Sequence, residues 1–93
     1  MLGLRVKPID AATARQLKLA AAAGVIVTAV EPGGSGAVAG LRELDVIMEV
    51  DRLPVKDIDG WRRAVNRAAT DKVMLLLVKR DRGTVFITVR RHA

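Results

Sequence analysis

The sequence predicts a small, mostly antiparallel β domain with short helices over its openings: about five strands and two or three helices across residues 1–93. Three observations carry this. Apolar, largely β-branched runs of strand length recur along the chain: "GVIVTAV" at 24–30, "LDVIMEV" at 44–50, "VMLLLV" at 73–78 and "TVFITV" at 84–89. The loops that join the strands and helices are short. The composition is globular, with 51% hydrophobic and 28% charged residues. Aromatics are only Trp61 and Phe86, so Val, Leu, Ile and Ala must form the core.

Each element has a local reason. Leu4–Lys7 alternates apolar and basic residues and reads as a short strand stopped by Pro8. Asp10 can cap a helix over "AATARQLKLA", residues that favour helix. The strand at 24–30 runs into the loop "EPGGSG". Ser35 is expected to cap a short helix, Gly36–Ala39, that Gly40 ends. After the strand at 44–50, a turn at Asp51–Leu53 leads to Pro54-Val55. Asp57 then caps a helix from about Ile58 to Ala69, in which Ile58, Trp61, Val65 and Ala68 form one apolar stripe. "KVMLLLVKR" and "TVFITVRR" read as a hairpin around "DRG", with Gly83 at a positive φ. Val85, Ile87 and Val89 give the last strand one buried face.

Composition narrows the function classes. With no cysteine there is no disulfide framework, thiol nucleophile or zinc knuckle. No apolar run approaches the length of a membrane span, and no signal-peptide pattern is present. The net charge of +6 is spread in short clusters such as Arg62-Arg63, Lys79-Arg80-Asp81-Arg82 and Arg90-Arg91. Without a helix-turn-helix, zinc spacing or aromatic platform, these read as solvated surface, not as a nucleic-acid site.

Three motifs imitate chemistry. "GGSGAVAG" resembles a dinucleotide fingerprint, but only about one helical turn separates it from the next strand. Gly34-Ser35-Gly36 resembles a serine-nucleophile loop. That chemistry requires a histidine base, and the single histidine is His92, one residue from the end. Asp45, Glu49 and Asp51 suggest a weak cation cluster, but the spacing fits no ordered metal loop. They read as a solvated strand edge and turn caps. The expectation is therefore no catalytic residue, no metal and no cofactor.

The segments "LGLRV", "GVIVTAVEPGGSGAVAGL", "LDVIMEVDRLPVKDIDGWRRAV" and "VMLLLVKRDRGTVFITV" together resemble a PDZ domain. The kind they resemble follows the protease domain of bacterial HtrA/Do-like serine proteases. The likeness runs over essentially the whole chain and is most specific in its middle block. Two turns depart from the family's pattern. Glu43-Leu44 stand where it usually has Pro-Gly, and Asp51-Arg52 where it has Asn-Gly. Both affect turn chemistry and leave the groove alone.

The resemblance implies a partly open antiparallel barrel or sandwich of five to six strands with two to three helices. Its strand order is the circularly permuted bacterial one, with residues 84–90 supplying the strand that opens the animal arrangement. It also implies that a peptide adds as a strand to a sheet edge. Leu2, Gly3 and Leu4 would donate N–H groups to a terminal carboxylate, and Leu2 and Leu4 would line the pocket for the last side chain. Leu4, Arg5 and Val6 would offer the pairing edge. Arg62, Val65, Asn66 and Ala69 would form the opposite wall, with Trp61 and Ala64 turned to the core. The implied partners are C-termini or exposed hydrophobic segments of unfolded proteins, and the protease domain of a parent chain. The implied address is the periplasm or cell envelope, with neither nucleic acid nor membrane insertion involved. A PDZ domain of another envelope protein, such as a site-2 metalloprotease or a secretion component, is the alternative owner.

Overall fold

The computed structural model describes residues 2–19, 23–68, 73–80 and 83–90. Nine elements follow in order: β1 (Leu4–Pro8), α1 (Ala11–Gln16), β2 (Val25–Val30), α2 (Ser35–Ala39), β3 (Val46–Val50), β4 (Leu53–Pro54), α3 (Ile58–Arg67), β5 (Val73–Arg80) and β6 (Gly83–Arg90). The strands form one six-stranded sheet of order β1-β2-β3-β5-β6, with β4 folded back onto β3. Every pairing is antiparallel, and the sheet does not close, so β1 and β6 are its two ends.

Alternation along the strands sorts side chains between two cores. Val25 and Val27 of β2, Ile47 and Val50 of β3, Met74, Leu76 and Val78 of β5, and Ile87 and Val89 of β6 point to one face. There they meet Trp61, Ala64 and Val65 of α3. Ile26, Val46 and Met48 point the other way, onto a smaller cluster that Ile9, Ala14 and Leu17 cover from around α1. Fully burying side chains of this size stabilises by roughly 1.5–3 kcal/mol each. The larger face therefore supplies most of the fold's driving force.

Caps set the helix starts. Asp10 accepts a hydrogen bond from the Thr13 N–H at 2.7 Å, which holds its carboxyl below the ordinary value of 3.8. Asp57 accepts from the Gly60 N–H, also at 2.7 Å, and starts α3. Ser35 does not cap α2: it is the first helical residue, and Gly34 occupies the cap position without a side-chain bond. Gly40 does end α2, at φ 100°. The first helix is shorter than its composition predicts, ending at Gln16 before Lys18 turns to φ 57°.

The two turns that lack the family's glycines still take left-handed backbone. Leu44 sits at φ 72°, and Asp51 and Arg52 at 51° and 69°. Asp51-Arg52 is thus a two-residue turn with both φ positive, the twist that suits a hairpin between β3 and β4. Asp51 also bonds Leu75 twice: its N–H donates to the Leu75 carbonyl at 2.7 Å, and its Oδ1 accepts from the Leu75 N–H at 2.9 Å.

Asp45 corrects the reading of a solvated strand edge. It is buried and lies before β3. Its carboxylate accepts from the Arg42 N–H, from Arg80 Nε and from Arg80 Nη2 at 2.8–2.9 Å. Arg80 accordingly belongs to this bond and not to a solvated basic cluster. The expectations for Ala69, for Asp81-Arg82 and for Arg91 and His92 lie outside the described residues.

Candidate functional site

At β1 the sheet ends in a strand that pairs with β2 on one side and with no strand on the other, among the described residues. In an antiparallel strand the N–H and C=O of one residue point to the same side, and the next residue's point to the other. The Gly3 carbonyl accepts from the Glu31 N–H at 2.7 Å, and the Arg5 carbonyl accepts from Thr28 Oγ1 at 3.2 Å. Both bonds go toward β2. The backbone groups of Leu4 and Val6 therefore face the open edge. Pro8 ends that edge, because it has no N–H to offer.

Ahead of β1 the chain turns at Gly3, where φ is 69°. The Leu2 carbonyl accepts from the Gly36 N–H at 3.0 Å, and the Gly3 carbonyl is taken by Glu31. Both acceptor oxygens are thus engaged by the domain itself. Among the described residues no acceptor meets the N–H of Leu2 or Gly3. A segment whose carbonyls are bound inward and whose amides are unmet has the polarity an anion requires.

Opposite this edge stands α3. Between them lies a groove of about 360 Å³, lined by Leu2, Leu4, Trp61, Arg62, Val65 and Asn66. Leu2, Trp61 and Val65 are buried and make its apolar floor, while Arg62 and Asn66 are exposed on its rim. The 3.6-residue period of α3 explains the division: Trp61 and Val65 lie on the core stripe, with Arg62 and Asn66 one position further round.

The structure thus brings Leu2, Leu4, Arg62, Val65 and Asn66 around one space. Val6 packs its side chain against the main core, beside Leu4. Gly3 and Arg5 lie on the other side of β1, where with Leu4, Ala29, Val30 and Glu31 they line a second groove of about 460 Å³. Trp61 and Ala64 are core residues, and Trp61 in addition reaches the groove floor.

The sequence reading overlooked Gly36. A Cβ placed there would lie 2.6 Å from Leu4 Cδ2 and 3.2 Å from the Leu2 carbonyl. Leu4 can reach its position only because residue 36 has no side chain. The signal was the run of small residues "GGSGAVAG", where close backbone approach is the physical reason for smallness. Among the described residues there is no cluster of three metal-ligating side chains, and no helix is long and apolar enough to cross a membrane.

An edge strand facing a helix across an apolar groove, with an amide-rich turn at one end, has the geometry of a binding module. The PDZ domain family model matches residues 26–80, and the chain belongs to that family. It is 34% identical over 88 residues to a probable periplasmic serine endoprotease, DegP-like, of Chlamydia pneumoniae. It is 32% identical over 88 residues to the protein of the same name from Chlamydia trachomatis serovar D. Each alignment covers 95% of this chain and 18% of the relative, so the chain spans under a fifth of these proteases. Among solved structures, the HtrA-type protease AlgW with a decapeptide is similar at TM-score 0.78 and 29% identity, over all of this chain and 30% of that one. The HtrA3 PDZ domain bound to a phage-derived ligand shares the fold at TM-score 0.81 and 22% identity, over 97% of this chain and 82% of that one. The chain is a binding module, and the catalytic part of such proteases is a different domain.

Proposed function

We propose that this domain captures polypeptide C-termini, or exposed hydrophobic segments of unfolded chains, by adding them as a strand to β1. The observation that carries the reading is the orientation of β1: Gly3 and Arg5 bond inward to β2, which leaves Leu4 and Val6 for a ligand backbone. A C-terminus held at the Leu2–Leu4 turn must run antiparallel to β1. Its last side chain then enters the floor made by Leu2, Leu4, Trp61 and Val65. Arg62 and Asn66 tune preference from the rim. Backbone bonds give affinity and the pocket gives selection.

The domain would serve an HtrA/Do-like serine endopeptidase in the periplasm, presenting substrates to the protease domain or relaying their binding to it. The DegP-like names of the relatives and the decapeptide bound to AlgW support this assignment. Titration with a hydrophobic-ended decapeptide tests it. Leu4→Asp puts a polar, anionic group in the pocket beside the carboxylate and is expected to weaken binding at least tenfold. A folded Leu4→Asp variant with unchanged affinity would place the ligand elsewhere.

A further inference from the structure

β1 carries two cations on the face turned away from the groove. Leu4 and Val6 send their side chains to the main core, so Arg5 and Lys7 stand on the opposite face, both exposed. Their neighbours across the ladder are Ala29 and Ile26 of β2, which bring no charge. The single ion pair among the described residues is Arg80–Asp45, so neither cation is matched by a contacting carboxylate. Two acids lie in the vicinity. Asp10 feels Lys7 weakly, and its carboxylate is bonded to Thr13. Glu31 lines the outer groove with Arg5 without bridging to it.

Resting on the strand-addition reading above, we infer that Arg5 and Lys7 make the domain select ligands with acidic residues at the positions that face away from the groove. The register follows from antiparallel pairing. A ligand residue opposite Leu4 enters the groove. The residue before it lies opposite Arg5, the next opposite Val6, and the one before that opposite Lys7. Directly opposed side chains on one face have Cβ atoms about 4.5–5.5 Å apart, within reach of ion pairing, and opposed like charges repel. The recognised pattern is acid, any residue, acid, then an apolar groove residue.

Three decapeptides ending in the same apolar residue test this in titrations at low salt. They differ only in carrying Glu, Gln or Lys at the first and third positions before the groove residue. The Glu peptide is expected to bind at least tenfold more tightly than the Lys peptide, with the Gln peptide between them. The gap should narrow as salt is raised, because exposed charges are screened. In the double variant Arg5→Gln with Lys7→Gln, the Glu-to-Lys ratio should fall below about threefold. Moving both Glu residues to the far end of the peptide should remove the gain and separates pairing from attraction by net charge.

Equal affinities of the Glu and Lys peptides, with the Gln peptide still bound, would overturn the inference and leave strand addition standing. So would an undiminished ratio in the double variant. Failure of the Gln peptide to bind at all would overturn the strand-addition reading and this inference with it.

Discussion

Arg80 grips Asp45 with one edge of its guanidinium: Nε lies 2.9 Å from Oδ1 and Nη2 lies 2.8 Å from Oδ2. The same Nη2 also donates to the Gly40 carbonyl at 2.6 Å. One side chain from the end of β5 thereby fastens the turn after α2 and the entry to β3, 35 residues away in sequence. The bond to Asp45 raises the basicity of Arg80, against a smaller opposing effect of burial.

Arg80→Met is expected to destabilise the domain by about 3 kcal/mol, measured by urea unfolding. Removing one partner strands a carboxylate that is 5% exposed, and such losses run at ~3–5 kcal/mol. The lower end applies because the Arg80 side chain is 27% exposed. Adding Asp45→Asn to Arg80→Met should recover part of the loss, since an amide oxygen can still accept from the Arg42 N–H. A single variant as stable as the parent would contradict the structural role given to this pair.

Leu44→Gly is expected to stabilise. Leu44 holds φ 72° with its side chain 65% exposed, so little burial is lost on truncation. A left-handed conformation costs an ordinary residue ~1–2 kcal/mol, while glycine gives back ~0.4–1 kcal/mol through a freer unfolded chain. The net gain of about 0.5–1 kcal/mol should raise the melting temperature by roughly 2–8 °C in a domain of this size. A lower melting temperature would mean that the Leu44 side chain makes a contact worth more than its strain.

Gly36→Ala should weaken ligand binding more than its cost in stability explains. The new methyl would meet Leu4 Cδ2 at 2.6 Å and push that side chain into the groove. A three- to tenfold loss of affinity for a hydrophobic-ended peptide is expected, with the fold retained by circular dichroism. Undiminished affinity would show that Leu4 can be displaced without disturbing the site.

Local pattern carried much of this fold into the sequence. The α3 stripe of Ile58, Trp61, Val65 and Ala68 and the Asp57 cap were legible because helical period and capping chemistry act within a few residues. So was the alternation in β6 at Ile87 and Val89, which are buried, whereas Val85, expected on the same buried face, is exposed near the start of the strand. Asp45 was misread as solvated because its partner is Arg80, and no local rule joins residues so far apart. The turns at Leu44 and Arg52 were legible, but their left-handed backbone was not, because residue type gave no glycine there. The small strand β4 was read only as a turn leading to Pro54. The groove residues came from the family's pattern. What sequence alone did not supply was which backbone groups of β1 are spent on β2, and that decides the open edge.

The most direct test of C-terminal capture compares one hydrophobic-ended peptide in its free-acid and C-terminally amidated forms. Amidation removes the carboxylate charge and leaves every side chain in place. If the N–H groups of Leu2, Gly3 and Leu4 receive that carboxylate, each charge-assisted bond contributes about 1.5–3 kcal/mol before desolvation is deducted. Affinity of the amide should then be at least about tenfold weaker, since ~1.4 kcal/mol is one decade in the dissociation constant. Equal affinity of the acid and amide forms in isothermal titration would contradict capture of the terminus. It would leave internal hydrophobic segments, added along Leu4–Val6 without a carboxylate anchor, as the ligand of this edge.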